Sequence, residues 1–415
     1  MRKDSLKRSL HSASLLILSS AVILASGCSG LSKAPETARP WNTHLYDMAR
    51  ANWSDEEITP PLRLCWAKDI SAPNVFTIYP REELSSPALS GGTVYVAGSG
   101  ESLYSLDIRS GSINWRFDAG FPLEAPPTVS EGSVCLGSGE GVVTCLDSKT
   151  GDEIWRFQAR SEVLSAPVIA GGMVYFYSAD DRFHALHLKT GEKAWGYSRS
   201  TFRNVTARLR GSPAYSSEKG SLFQLFSDGF LVSLAADSGK ELWAKRVFKD
   251  AQTVFSVRTT PLSSEGLVYM IDEAGSVISL DAGTGETKNV YNVIKARDFL
   301  LAGKRTLIIA GTDTVVALDR VSGAILWKRE ARYAPVASIF ASGGSLFILS
   351  NHMKAPLGIK FLSSVDGAVE AVSLKDGSRL WEKGLHSTIS SAGASSGGRV
   401  ALFTDKGVLV VFSSR

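Results

Sequence analysis

Hydrophobic and polar residues alternate over short runs along most of the chain, and the runs are separated by polar turns rich in glycine. TVYVAG (93–98), SVCLGS (133–138) and MVYFYS (173–178) carry alternating β-branched and aromatic residues, the signature of half-buried strands. Each follows a short segment with proline or small residues: SSPALSGG (85–92), APPTVSEG (125–132) and SAPVIAGG (165–172). Each also precedes a third motif, a strand, then a polar turn holding glycine, then a strand ending in tryptophan. LYSLDIRSGSINW (103–115), VVTCLDSKTGDEIW (142–155), FHALHLKTGEKAW (183–195) and LVSLAADSGKELW (231–243) are the clearest copies. VVALDRVSGAILW (315–327) and VEAVSLKDGSRLW (369–381) repeat it, while VISLDAGTGETKNV (277–290) lacks the tryptophan. The motif glycines recur at about 40–50 residues, the length of a propeller blade rather than of a helical repeat.

Seven full units leave two fragments. RVALFTDKGVLVVFSSR (399–415) supplies inner strands without a tryptophan strand, and LCWAKDI (64–70) supplies a tryptophan strand with nothing before it. Joining them completes an eighth blade and satisfies two open strand edges. The predicted fold is therefore an all-β, eight-bladed β-propeller over residues 62–415. It has four antiparallel strands per blade and is closed by an N-terminal strand in the last blade.

The repeated side chains have structural work to do. Trp115, Trp155, Trp195, Trp243, Trp327 and Trp381 are expected between neighbouring blades, where each buries a large apolar area. Gly111, Gly151, Gly191, Gly239, Gly285, Gly323 and Gly377 fall where turns require positive φ. Asp107, Asp147, Asp281 and Asp319 are placed to accept hydrogen bonds from turn amides.

The N-terminus breaks the pattern. Arg2, Lys3, Lys7 and Arg8 precede an apolar run, LLILSSAVILA (15–25), shorter than the roughly 20 residues a bilayer-spanning helix needs. It reads as a signal peptide over residues 1–27. LASGCSG then puts small residues before Cys28, similar to a lipobox, so Cys28 is the expected lipid attachment site. Ser29 in the following position favours the outer membrane. Residues 28–61 hold Pro35, Pro40 and scattered charge, and are expected to form a lipid-anchored tether with a brief helical stretch at 45–50. Of the formal charge of +4, residues 1–27 contribute four basic groups and one acid, leaving +1. That balance offers no case for nucleic-acid binding.

Catalytic chemistry finds little support. His11, His44, His184, His187, His352 and His386 form no metal-ligand pattern; His184 and His187 lie three apart on one strand and point to opposite faces. No HExxH, Walker or GxSxG motif occurs. Cys135 and Cys145 sit on the two arms of one hairpin. Their spacing allows a disulfide in an exported protein, with a pair of reduced apolar side chains as the alternative. Cys65 is expected to be buried beside the closure strand. Two longer stretches are candidate recognition loops: the basic TFRNVTARLRGSPAYSS (201–217), with Arg203, Arg208 and Arg210, and NHMKAPLGIKFLSSVD (351–366).

The order of lipobox, early tryptophan strand, LRG connection after FHALHLKTGEKAW, and the later stretch ending in VVALDRVSGAILW resembles outer-membrane lipoprotein B of the β-barrel assembly machinery. The blade motif alone is shared with quinoprotein alcohol dehydrogenases. The resemblance implies an eight-bladed scaffold without a reaction or cofactor of its own. It further implies binding to the periplasmic domains of the barrel-forming subunit, with unfolded outer-membrane proteins as further candidate partners. The family's leucine–arginine–glycine contact maps to Leu209, Arg210 and Gly211. Here Ala207 replaces a family leucine and Arg208 is an added basic residue. The resemblance also implies that Leu209 packs on an apolar patch of the partner while Arg210 makes charge-assisted bonds. Two alternatives remain: an envelope propeller that binds another protein or a glycan, and a quinone-dependent dehydrogenase. Such dehydrogenases carry calcium-binding acids and often adjacent cysteines, and no Cys–Cys dipeptide occurs here.

Overall fold

The computed structural model describes residues 40–70, 85–98, 100–199, 209–249, 260–354 and 364–414. Cys28 and the signal sequence lie outside them. Eight sheets form the ring, one for each unit read from the sequence. Blades 1 to 7 span residues 88–118, 128–158, 168–198, 214–246, 262–291, 298–330 and 336–384 in chain order. Blade 8 combines Ala394–Ser396, Arg399–Phe403 and Val408–Ser413 with the N-terminal strand Arg63–Asp69. That strand pairs antiparallel with Val408–Ser413, Trp66 facing Val411 across a bulge. The ring is closed as the two fragments required.

First strands of neighbouring blades pack on one another and so lie nearest the axis. Because the strands alternate in direction, all connections between blades and all hairpins joining second to third strands emerge at one end of the ring. The remaining turns emerge at the other. We call these the loop end and the turn end.

The interblade seams at the turn end repeat one device. The indole of one blade lies on the motif glycine of the next: a Cβ at Gly111 would meet Trp66 at 2.8 Å, at Gly151 Trp115 at 2.7 Å, and at Gly239 Trp195 at 2.4 Å. Gly191, Gly285 and Gly377 are covered in the same way by Trp155, Trp243 and Trp327. These glycines have φ between +71° and +79°, so the position excludes a side chain by conformation and by space. Each indole Nε1 also donates to a carbonyl of the next blade, as Trp66 does to Ile108 at 3.0 Å and Trp243 to Ala282 at 2.9 Å. The turns are pinned as expected: Asp107, Asp147, Asp281 and Asp319 each accept two backbone N–H bonds at 2.8–3.0 Å. Those bonds stabilise the ionised form, and they hold Asp319 down to about 2. Trp381 differs from the other six: it meets Phe412 edge-on at 5.4 Å, because blade 8 has no motif turn for it to cover.

The expected tether ends much earlier than residue 61. Residues 41–54 line the axial channel, and Trp41, Thr43, Arg50, Asn52 and Ser54 are fully buried. They make contact with successive blades. N–H groups of Leu89, Val129, Tyr215, Ser263 and Ala341, on the first strands of blades 1, 2, 4, 5 and 7, donate to the carbonyls of Trp41, Asn42, Met48, Ala49 and Asn52. Innermost strands present an open edge to the channel, and the segment satisfies it. Arg50 spans the gap at blade 3: its Nη2 donates to Ala166 and Pro167 carbonyls and its Nε to that of Pro213. Trp53–Ser54 then adds a fifth, parallel strand to blade 7. The stretch at 45–50 is not helical. Leu45, Tyr46, Arg50 and Asn52 all have positive φ, since a chain following a ring must turn repeatedly.

Candidate protein-interaction site

The loop end carries the long connections of the molecule, and the candidate contact residues lie in one of them, between blades 3 and 4. That connection is fastened on both sides. Before it, Arg199 bonds Asp228 at 2.7 Å and lies over the Phe230 ring at 4.6 Å. Burial alone would lower the Arg199 guanidinium, but the Asp228 carboxylate holds it above its ordinary value. After it, Leu209 is 3% exposed and joins the apolar cluster of blades 3 and 4 with Phe226 and Phe248. Gly211 is buried and its carbonyl accepts from Gln224 Nε2 at 3.3 Å. Arg210, between them, is exposed.

This placement revises the expected contact. Leu209 is already packed in the propeller core and does not offer its side chain to a partner; it anchors the connection that presents Arg210. Arg208 lies outside the described residues, as does Arg203. The sequence reading missed the support beneath. Asp181, at φ +56°, accepts from the Tyr177 hydroxyl at 2.5 Å and from the Ser227 N–H at 2.9 Å, joining the hairpins of blades 3 and 4. Burial and the adjacent Asp181 push the Tyr177 phenol well above its usual range. The only sequence signal for this tie is the polar ADD and SDG turns at corresponding places.

The second candidate loop is largely strand. Ser345–Lys354 and Ser364–Ser373 pair in register out to Lys354 opposite Ser364, so much of 351–366 extends blade 7 as a ladder rather than an irregular loop. Its tip, 355–363, lies outside the described residues. Met353 and Val365, paired across this ladder, are 69% and 49% exposed.

Other candidate chemistry resolves into structure. Cys135 and Cys145 face each other across adjacent strands, Cα–Cα 4.1 Å, and form a disulfide; Cys65 is buried. His184 is buried and stacked on Phe176 at 4.8 Å, while His187 is exposed on the other face. Among the described residues no three His, Cys, Asp or Glu side chains are grouped to hold a metal. Residues 41–54 line the axial channel, where a propeller has room for a small ligand, and bond the inner strands of the blades.

Known proteins resemble this chain at three levels. A family profile described as outer membrane protein assembly factor BamB matches residues 53–136, 111–329 and 295–415. Outer membrane protein assembly factor BamB of Salmonella typhimurium strain LT2 is 25% identical over 126 residues, 29% of this chain and 32% of that protein. The matched stretch thus spans about a third of that relative. The crystal structure of BamB from Moraxella catarrhalis superposes with a TM-score of 0.65 at 17% identity, covering 85% of this chain and 99% of that one. A europium-containing methanol dehydrogenase gives 0.70 at 13% identity, with 90% and 98% covered. At these identities the structural likenesses establish the fold alone.

Proposed function

The chain belongs to the outer membrane protein assembly factor BamB family, and from that premise we propose that it is a non-catalytic scaffold for assembly of outer-membrane β-barrel proteins. In this reading the propeller stands at the periplasmic face of the outer membrane, held by lipid on Cys28. Its loop end binds the periplasmic domains of the barrel-forming subunit, and unfolded outer-membrane proteins are secondary partners. Arg210, with Arg208 beside it in sequence, supplies charge-assisted bonds to a carboxylate or carbonyl of that partner.

The observation that carries the reading is the combination of a lined axis with a braced loop end. The chain's own carbonyls and Arg50 take up the inner strand edges and loop carbonyls that would otherwise face the channel. What remains for recognition is the outer surface. There Arg210 is exposed between the buried Leu209 and Gly211, so its backbone is already placed before binding.

A photo-crosslinking residue placed at position 210 tests the proposal in intact envelopes. The scaffold reading expects an adduct with the barrel-forming subunit. Adducts with an unrelated envelope protein or a glycan alone, from a correctly folded ring, would favour the general binding propeller instead.

A further inference from the structure

Six of the seven motif glycines are covered by an indole from the preceding blade, and the seventh is not. A Cβ at Gly323, in blade 6, would meet nothing within 4 Å, and the glycine is exposed. The cause lies in blade 5. Asn289 stands opposite Ser279, as Trp115 stands opposite Ser105 in blade 1, and its side chain turns back to the Ser279 hydroxyl at 3.1 Å. The Tyr291 hydroxyl takes over only the hydrogen bond, donating to the Arg320 carbonyl at 2.5 Å. The ring's place over Gly323 stays open.

The rim of this seat is apolar at two positions where most of its counterparts are charged. Val321 is 73% exposed and Val290 58%, and Ala324 is also exposed. Counting from the motif glycine, Val321 occupies the position held elsewhere by Arg109, Lys149, Lys189, Asp237, Gly283 and Lys375. Ala324 occupies that of Ser112, Asp152, Glu192, Lys240, Glu286 and Ser378. Ile325 and Leu326, on the following strand, are both more than half exposed. An apolar rim at the one seam with an open seat is what a binding site for an apolar group requires.

We infer that the seat over Gly323 is a docking site for a tryptophan side chain presented by a partner polypeptide. The occupant's chemistry is read from the molecule itself, since each of the six equivalent seats holds an indole flat on its glycine. It cannot come from this chain: all nine tryptophans are described, and none is exposed. A second copy is disfavoured for the same reason. The inference is independent of the proposed assembly role, because the seat is at the turn end, away from Arg210.

The test uses the full mature chain with labelled Ile, Leu and Val methyl groups and labelled backbone amides, titrated with N-acetyl-tryptophanamide and, separately, N-acetyl-alaninamide. The inference expects saturable shifts confined to Val290, Val321, Ile325 and the Gly323 amide with the tryptophan probe, at least about tenfold stronger than with the alanine probe. Asn289→Trp should fill the seat from within, shift the Gly323 amide by ring current, and abolish the response to the probe. Absence of saturable shifts in the wild type, or an undiminished response in Asn289→Trp, would overturn it. Self-association of the wild type that Asn289→Trp removes would assign the seat to a second copy and overturn the foreign-partner assignment.

Discussion

Arg50→Met isolates the contribution of the channel segment to the ring. Arg50 is fully buried and donates five hydrogen bonds among the described residues. Nε donates to Pro213 O at 2.9 Å, Nη1 to Thr43 Oγ1 and His44 O at 2.8 Å, and Nη2 to Ala166 O and Pro167 O at 3.2 Å. Methionine keeps much of the volume and none of the donors. Three carbonyls at the starts of blades 3 and 4 lose this donor, and Asp47, already raised by burial, loses a nearby cation. Removing the guanidinium also removes its own desolvation cost, so the bonds do not simply add. Breaking a buried charged network costs about 3–5 kcal/mol, which corresponds to an increase of at least about 100-fold in the population of the opened segment. The ring has its own hydrophobic seams, so the opening should be local. Hydrogen exchange should therefore accelerate at the amides of Leu89, Val129, Tyr215, Ser263 and Ala341, which donate to the segment. The Leu146 and Leu234 amides, within blades, should keep their protection. Equal protection of the channel amides in wild type and variant would refute the reasoning.

Two further perturbations follow from particular seams and side chains. Gly239→Ala places a Cβ 2.4 Å from the Trp195 ring at φ +71°, whereas Gly323→Ala meets no neighbour at a similar φ. The first should cost about 3 kcal/mol from conformation plus ring displacement and the second about 1–2 kcal/mol from conformation alone, a difference read from denaturant midpoints. His184 is held down to about 4 from 6.5 by burial and then by Lys193. Its neutral form is the folded one, so its stabilisation is complete above pH 6.5 and is lost as pH falls towards 4. At most about 3 kcal/mol is at stake, and His184→Phe should flatten stability against pH across that window.

The fold was legible because both partners of its defining inter-blade contact sit in one short motif that repeats. A glycine four residues before a tryptophan marks one half of each of two neighbouring seams, and the copy with Asn289 in the tryptophan's place already marked the exception. Closure was legible because the unpaired fragments were complementary. The channel segment was not: within 14 residues it passes from blade to blade around the ring, so no period of two or 3.6 can arise, and positive φ at Leu45 and Tyr46 has no glycine to announce it. Trp41 and Trp53 were the available signal, since a solvated tether has no use for two tryptophans. Leu209 was misread for a related reason. Flanked by arginines, it looks like part of a surface motif, and only the packing of blades 3 and 4 shows that its side chain points inward.

The most direct test of the scaffold account is a calorimetric titration of the purified soluble domain with the periplasmic domains of the barrel-forming subunit, comparing wild type with a variant carrying Arg208→Glu and Arg210→Glu. The account predicts a loss of affinity of at least about tenfold, as expected for reversing charge at a contact, with the thermal midpoint unchanged. Undiminished affinity in the folded double variant would contradict it.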